Sequence, residues 1–195
     1  MADLPDTRPS LLLRLRDPGD AAAWRQCVEV YGPAVYRFAR KQGLQDADAA
    51  DVTQDVFGGL TRAVGGLAYD PARGTFRGWL FTIAHRRVYD HRARARRQCP
   101  AVGEENGSLR DHPAHPDAER AWDEEWDRAR FAWAADRVRA RVKPAIWEAF
   151  RRTAIAGENP TAVAGHLGLP VAQVYLARSR VMARLRDELA GLDPE

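Results

Sequence analysis

Apolar residues recur along this chain at steps of three and four, the spacing that gathers them on one face of a helix. No convincing run of alternating β-branched residues interrupts the pattern. Ser10 is placed to cap a short helix carrying Leu11, Leu12, Leu13 and Leu15, and Asp20 is a good N-cap for a segment running through Trp24 and Val28. Gly32-Pro33 predicts an interruption, followed by a second helix with Val35, Phe38 and Ala39 that stops at Gly43. A third helix begins in the acidic run Asp46 to Asp51, where the helix dipole favours carboxylates, and continues to about Val64. Its inner stripe is Val52, Val56, Leu60 and Ala63. A loop with Tyr69, Asp70-Pro71 and Gly74 leads into a long helix from about Phe76 to Arg97.

Residues 98–118 break the periodicity. Three prolines, two glycines and few large apolar residues predict a flexible linker. Beyond it the pattern resumes in helices over about 119–141, after Pro144, over about 160–167 and over about 170–189. The chain therefore reads as all-α: two small helical domains, residues 1–97 and 119–195, joined by the 98–118 tether. Trp122, Trp126, Ala129 and Trp133 recur at four, three and four residues and are expected to pack against the helices that follow, together with Trp147 and Phe150.

Within the second block, Thr161 to Val174 has the order of a helix-turn-helix. A short helix with Val163 and Leu167 meets Gly168, which suits a left-handed cap, and Pro170 fits the first turn of the next helix. Val174, Val181 and Leu185 form an inward stripe. Gln173, Tyr175, Arg178, Ser179, Arg180 and Arg184 lie outward, a mixture suited to base edges and phosphates in a major groove.

Charge enters through its distribution. The net charge is only +3, yet Arg86 to Arg97 holds six arginines against one aspartate. On a helix Leu80, Ile83, Ala84 and Val88 point one way, while Thr82, His85, Tyr89, Arg92 and Arg96 line another face. Cations beside an aromatic ring suit a phosphate backbone with unstacked bases. In the preceding loop Tyr69, Thr75, Phe76, Arg77 and Trp79 could enclose an extruded base, or Phe76 and Trp79 could be buried anchors; the residues leave both open. Cys27 and Cys99 are far apart with no CxxC pair, so idle thiols are expected. No cofactor or metal-ligand set is legible. The N-terminus lacks an apolar core of signal-peptide length and no stretch approaches a membrane span, which points to the cytoplasm and to no membrane insertion.

Ala50 to Phe57, reading Ala-Asp-Val-Thr-Gln-Asp-Val-Phe, closely resembles the region 2 signature of the sigma-70 family of RNA polymerase sigma factors. Phe76-Arg-Gly-Trp-Leu-Phe-Thr-Ile-Ala84 is similar to a second motif of that family and leads, as there, into a basic helix. After a linker comes the counterpart of the region 4 helix-turn-helix. Order and size resemble the small extracytoplasmic-function (ECF) subfamily. The resemblance implies a transcription initiation factor, not an enzyme, whose partners are core polymerase (β′ clamp and β flap), promoter DNA, and an anti-sigma factor or other regulator. By position it places Asp48, Asp51, Gln54, Asp55 and Phe57 on the polymerase. It places Tyr69, Phe76, Arg77, Trp79, His85, Arg86, Tyr89, Arg92 and Arg96 on the −10 element, which they would melt and read. Pro170, Val171, Ala172, Gln173, Tyr175, Leu176, Ser179 and Arg180 would read the −35 element as duplex.

Departures stand beside the resemblance. Arg86 replaces a common Asn, Pro170 a common capping Ser or Thr, and Ala50 the usual acid, although Asp48 is near. The main rival is a regulator that binds palindromic duplex as a dimer through residues 160–186; it leaves the Asp51–Phe57 motif and the basic helix unexplained. A nuclease built on His85, Asp90 and His91 would need ligands that these residues, on different helix faces, do not assemble.

Overall fold

The computed structural model describes residues 11–64, 75–98 and 116–192, and among them every regular element is helical. Ser10, the loop with Tyr69, most of the 98–118 segment with Cys99, and the side chains of Ala63 and Arg96 lie outside the described set. The chain divides into two compact units, and the boundary falls between Ala129 and Arg130.

The first unit contains α1 (Leu11–Leu15), α2 (Ala21–Lys41), α3 (Asp46–Val64) and α4 (Phe76–Gln98). Asp20 caps α2 as its spacing predicts, accepting the Ala23 amide at 2.8 Å and pairing with Arg14. The interruption expected at Gly32-Pro33 does not occur: α2 runs unbroken through both residues. Pro33 is exposed, whereas Val30, Tyr31, Ala34 and Val35 around it are fully buried. Apolar burial on one face outweighs the ~3 kcal/mol penalty of an interior proline, whose missing amide lies on the solvent side. At Gly43 the helix does stop. With φ at 87° the chain turns so that the Leu44 amide reaches the Ala39 carbonyl at 3.2 Å, and Leu44 itself is buried.

Val52, Val56 and Leu60 of α3 and Leu80, Ala84 and Val88 of α4 close over α2, each on the stripe its period predicts. Thr75 caps α4 by accepting the Gly78 amide. A fifth helix, α5 (Pro116–Arg141), completes this unit with its residues up to Ala129. Trp122 and Trp126, expected to pack with the helices that follow, pack within the first unit, and the residues assigned from 119 onward to the second domain divide at Ala129. Trp126 stacks on Tyr31 at 4.4 Å with 13° between the rings, and Trp122 meets Phe38 edge-on at 5.5 Å. Both indoles are buried, alongside a carboxylate. Glu125, 0% exposed, pairs with Arg37 at 2.8 Å, Lys41 at 3.0 Å and Arg128 at 2.7 Å. Three cations around one buried acid compensate its lost hydration.

The second unit takes α5 from Arg130 onward, α6 (Pro144–Phe150) with a five-residue π-helical turn Arg151–Ile155, α7 (Pro160–Leu167) and α8 (Val171–Ala190). Ala134, Ala135 and Val138 of α5 pack with Phe150 and with Val181 and Leu185 of α8, and Trp133 and Trp147 lean on this cluster. Ala149, Val163, Ala164, Val174 and Ala177 form a neighbouring cluster that closes α7 against α8. Of the tryptophan stripe, Trp133 therefore serves this unit, alongside Trp147 of α6, and Trp122 and Trp126 serve the other. Arg152 is held by Glu158 in the turn before α7, which Asn159 caps through the Thr161 amide.

Candidate nucleic-acid interface

Helix α7, the left-handed Gly168 (φ 64°) and α8 form the expected helix-turn-helix. Pro170 stands one position earlier than expected, as N-cap of α8, and its carbonyl receives the Gln173 amide at 2.8 Å. A proline at this place has no side-chain acceptor to offer, so the turn relies on Gly168 and on the burial of Val163 and Val174. The buried edge of α8 is Val174, Ala177, Val181 and Leu185. Pro170, Val171, Ala172, Gln173, Tyr175, Leu176, Ser179 and Arg180 are all exposed, so this half of the helix is open along its length. A helix of this width with an open outer face can enter a major groove.

In the first unit Asp51, Gln54 and Asp55 are exposed on the side of α3 away from its buried stripe. Asp48 is half-buried, and its carboxylate lies 3.4 Å from His91 of α4. Phe57, expected on the polymerase, is 8% exposed and lies beside Gly32. Burying an aromatic ring stabilises the bundle more than displaying it, and its place one position after Val56 borders the inner stripe.

The residues expected at the −10 element separate along α4. Phe76 is a buried anchor: its ring meets Tyr31 at 5.4 Å and Trp126 at 6.1 Å. Trp79 is half-buried beside it. Arg77 is paired with Asp123 of α5. His85 is half-buried against Phe81 at 5.6 Å, and burial holds its imidazole below the ordinary histidine range, with the Glu119 carboxylate opposing. Further along the helix Arg86 and Arg92 are exposed, and Tyr89 is half-buried. The start of α4 is thus engaged within its own unit, and its later turns present cations to solvent.

The sequence reading missed the role of α5 residues 116–129. Their acids reach α2 and α4: Asp123 meets Arg77, Glu124 meets Lys41 at 2.7 Å, and Glu125 sits inside the packed surface. One signal was present. Glu125 falls three residues after Trp122, on the edge of the tryptophan stripe, and a lone acid there calls for cations on the surface that the stripe covers.

Residues 27–98 match the sigma-70 region 2 family. The ECF RNA polymerase sigma factor RpoE of Cereibacter sphaeroides is 24% identical over 181 residues, covering 93% of this chain and 94% of that protein. The RNA polymerase sigma factor CnrH of Cupriavidus metallidurans is 33% identical over 106 residues, 54% of each chain. A solved structure of CnrH in complex with the cytosolic domain of CnrY covers 92% of this chain and 94% of its own, at 24% identity and a TM-score of 0.37. Among the described residues no helix is long and apolar enough to cross a membrane.

Proposed function

Because the chain belongs to the sigma-70 family of RNA polymerase sigma factors, in its extracytoplasmic-function branch, we propose that it binds core polymerase in the cytoplasm and directs it to promoters with −10 and −35 elements. The observation that supports this best is the division of surfaces. One unit displays Asp51, Gln54 and Asp55 on one helix and Arg86 and Arg92 on another. The other unit displays a groove-sized helix from Pro170 to Arg180.

In this reading the acids of α3 dock on a basic element of the polymerase, with Asp48 held in place by His91. The exposed cations of α4, with Tyr89 and His85, follow the phosphates of the melted −10 strand, where charge supplies affinity and ring faces hold bases. Helix α8 reads the −35 duplex. Two modest sites on one chain strengthen each other through effective concentration. Phe57 and Phe76 then act from the core, supporting these surfaces without touching a partner. An anti-sigma factor or other regulator that covers the same surfaces would switch the protein off. The chain acts by binding and placing the polymerase, which supplies the catalysis.

The test mixes this protein with sigma-free core polymerase and genomic DNA of its source and maps transcript starts. Starts sharing a spaced pair of upstream motifs are expected. A double variant, Asp51→Arg with Asp55→Arg, should lose polymerase binding while keeping its helical circular dichroism. Absence of polymerase association, with tight binding to palindromic duplex, would replace this reading with the dimeric regulator.

A further inference from the structure

Residues 116–129, the first half of α5, hold six acids against two arginines. Within the first unit these acids meet cations of α2 and α4. Asp123 pairs with Arg77, and Glu124 with Lys41 at 2.7 Å. Glu125, besides Arg128 of its own helix, meets Arg37 at 2.8 Å and Lys41 at 3.0 Å. The Glu119 carboxylate also acts on His85 of α4. Between these pairs Trp122 and Trp126 lie against Phe38 and Tyr31.

This seam differs from a permanent core. A buried acid loses its hydration, and an apolar side chain of similar volume serves a lasting contact at least as well. Glu125 is nevertheless 0% exposed at the centre of the seam, while about half of Asp123 and of Glu124 faces solvent at its rim. Arg37 keeps a buried guanidinium nitrogen, Nη2, without a hydrogen bond among the described residues. Rings enclosed by ion pairs are the pattern of contacts that open, because on separation each charge regains water or takes another counter-charge.

The cations indicate which counter-charge. Along α4, Arg77 and His85 precede the exposed Arg86 and Arg92. Nine residues of helix put Arg77 about 14 Å along the axis from Arg86, a span that a few nucleotides of one strand cover. Carboxylates of α5 stand where the phosphates of such a strand would sit.

Resting on the promoter reading above, we infer that residues 116–129 are an internal stand-in for the single strand. Their carboxylates occupy Arg37, Lys41 and Arg77 in the free chain and yield these cations to phosphates of the melted −10 strand in the promoter complex. The strand site thereby gains Arg37 and Lys41 of α2, which neither region 2 motif contains. Carried on the same chain, the acids act at high effective concentration and keep the free protein from holding single strands indiscriminately. Core polymerase and promoter together displace them.

Two measurements on the full chain test this. Asp123→Asn with Glu124→Gln removes the rim charges with little change of shape, and the helical circular dichroism should stay. The free variant should bind an oligothymidine strand about two- to tenfold more tightly, the worth of two half-exposed ion pairs, because the uncovered form becomes more populated. Binding to a duplex of the same length should rise by a smaller factor. An equal or larger gain on the duplex, whose phosphates are denser, would reveal a general charge effect and overturn the inference, as would no gain on either. In the holoenzyme on a selected promoter, amides of residues 118–129 should lose about tenfold or more of their protection against hydrogen exchange, while those of α2 keep theirs. Unchanged or raised protection of 118–129 would equally overturn it. Failure to associate with core polymerase would refute the promoter reading alone; a strand-selective gain in that case would leave α5 as the cover of a single-strand site.

Discussion

Replacing Trp126 with Ala should destabilise one unit of this protein and spare the other. Its indole is 2% exposed, stacked on Tyr31 at 4.4 Å and tilted against Trp122 at 5.7 Å and Phe76 at 6.1 Å. Removing so large a buried ring costs about 3–5 kcal/mol, since the lost apolar burial and the residual cavity add. That is a large share of the ~5–15 kcal/mol that holds a domain together. Native-state hydrogen exchange reads the effect locally. Slow amides of α2, α3 and α4 should lose roughly two to four powers of ten in protection, while those of α7 and α8 stay within threefold of the parent chain. Phe150→Ala should produce the mirror image, because its ring belongs to the cluster with Val181 and Leu185. Trp126→Phe, which keeps a ring on Tyr31, should fall between Trp126→Ala and the parent. Loss of protection in α7 and α8 with α2 to α4 intact would refute the reasoning and return Trp126 to the helix-turn-helix core.

Three further outcomes are expected. Arg180→Ala should weaken −35 binding by ~1–3 kcal/mol if the guanidinium reaches a base edge, and uniformly across sequences if it holds a phosphate, a distinction that competition with mutated duplexes makes directly. Gly168→Ala should destabilise the second unit by about 1–2 kcal/mol in urea unfolding, because its φ of 64° is left-handed. Asp20 has its carboxyl held below the usual range, first by the hydrogen bond from Arg14 and then by the Ala23 amide. A carboxyl whose folded pKa is depressed contributes stability that is present above its unfolded value near 4 and is lost as pH falls through the lower folded value. Asp20→Ala should therefore destabilise α2 at neutral pH and flatten the acid side of the unfolding profile, measured by circular dichroism between about pH 2 and 6.

Much of this protein was legible in the order of its residues. Helix period, the Asp20 cap, the Gly43 and Gly168 stops and the acidic start of α3 are local matters, decided by side chains within a turn of one another. The exposed face of α8 was legible for the same reason: once Val174, Val181 and Leu185 are assigned inward, geometry places Tyr175, Leu176 and Arg180 outward. Motif order carried the family, because the region 2 residues lie in two short segments.

Tertiary packing decided the rest. Pro33 reads as a break because local rules see only the lost amide bond. They do not see the buried face of Val30, Tyr31, Ala34 and Val35 that keeps α2 whole. A helix period gives the direction of a stripe and never names its partner, so Trp122 and Trp126 could be assigned to a core but not to the correct one. Only the fold brings Tyr31, Phe38 and Phe76 opposite them and surrounds Glu125 with Arg37, Lys41 and Arg128. Phe57 and Phe76 show the same limit: a motif marks a position as important, and only packing reveals that both rings are buried. Local sequence therefore specified the helices and their faces, while long-range contact specified which faces meet, because that choice depends on residues far apart in the chain that only folding makes neighbours.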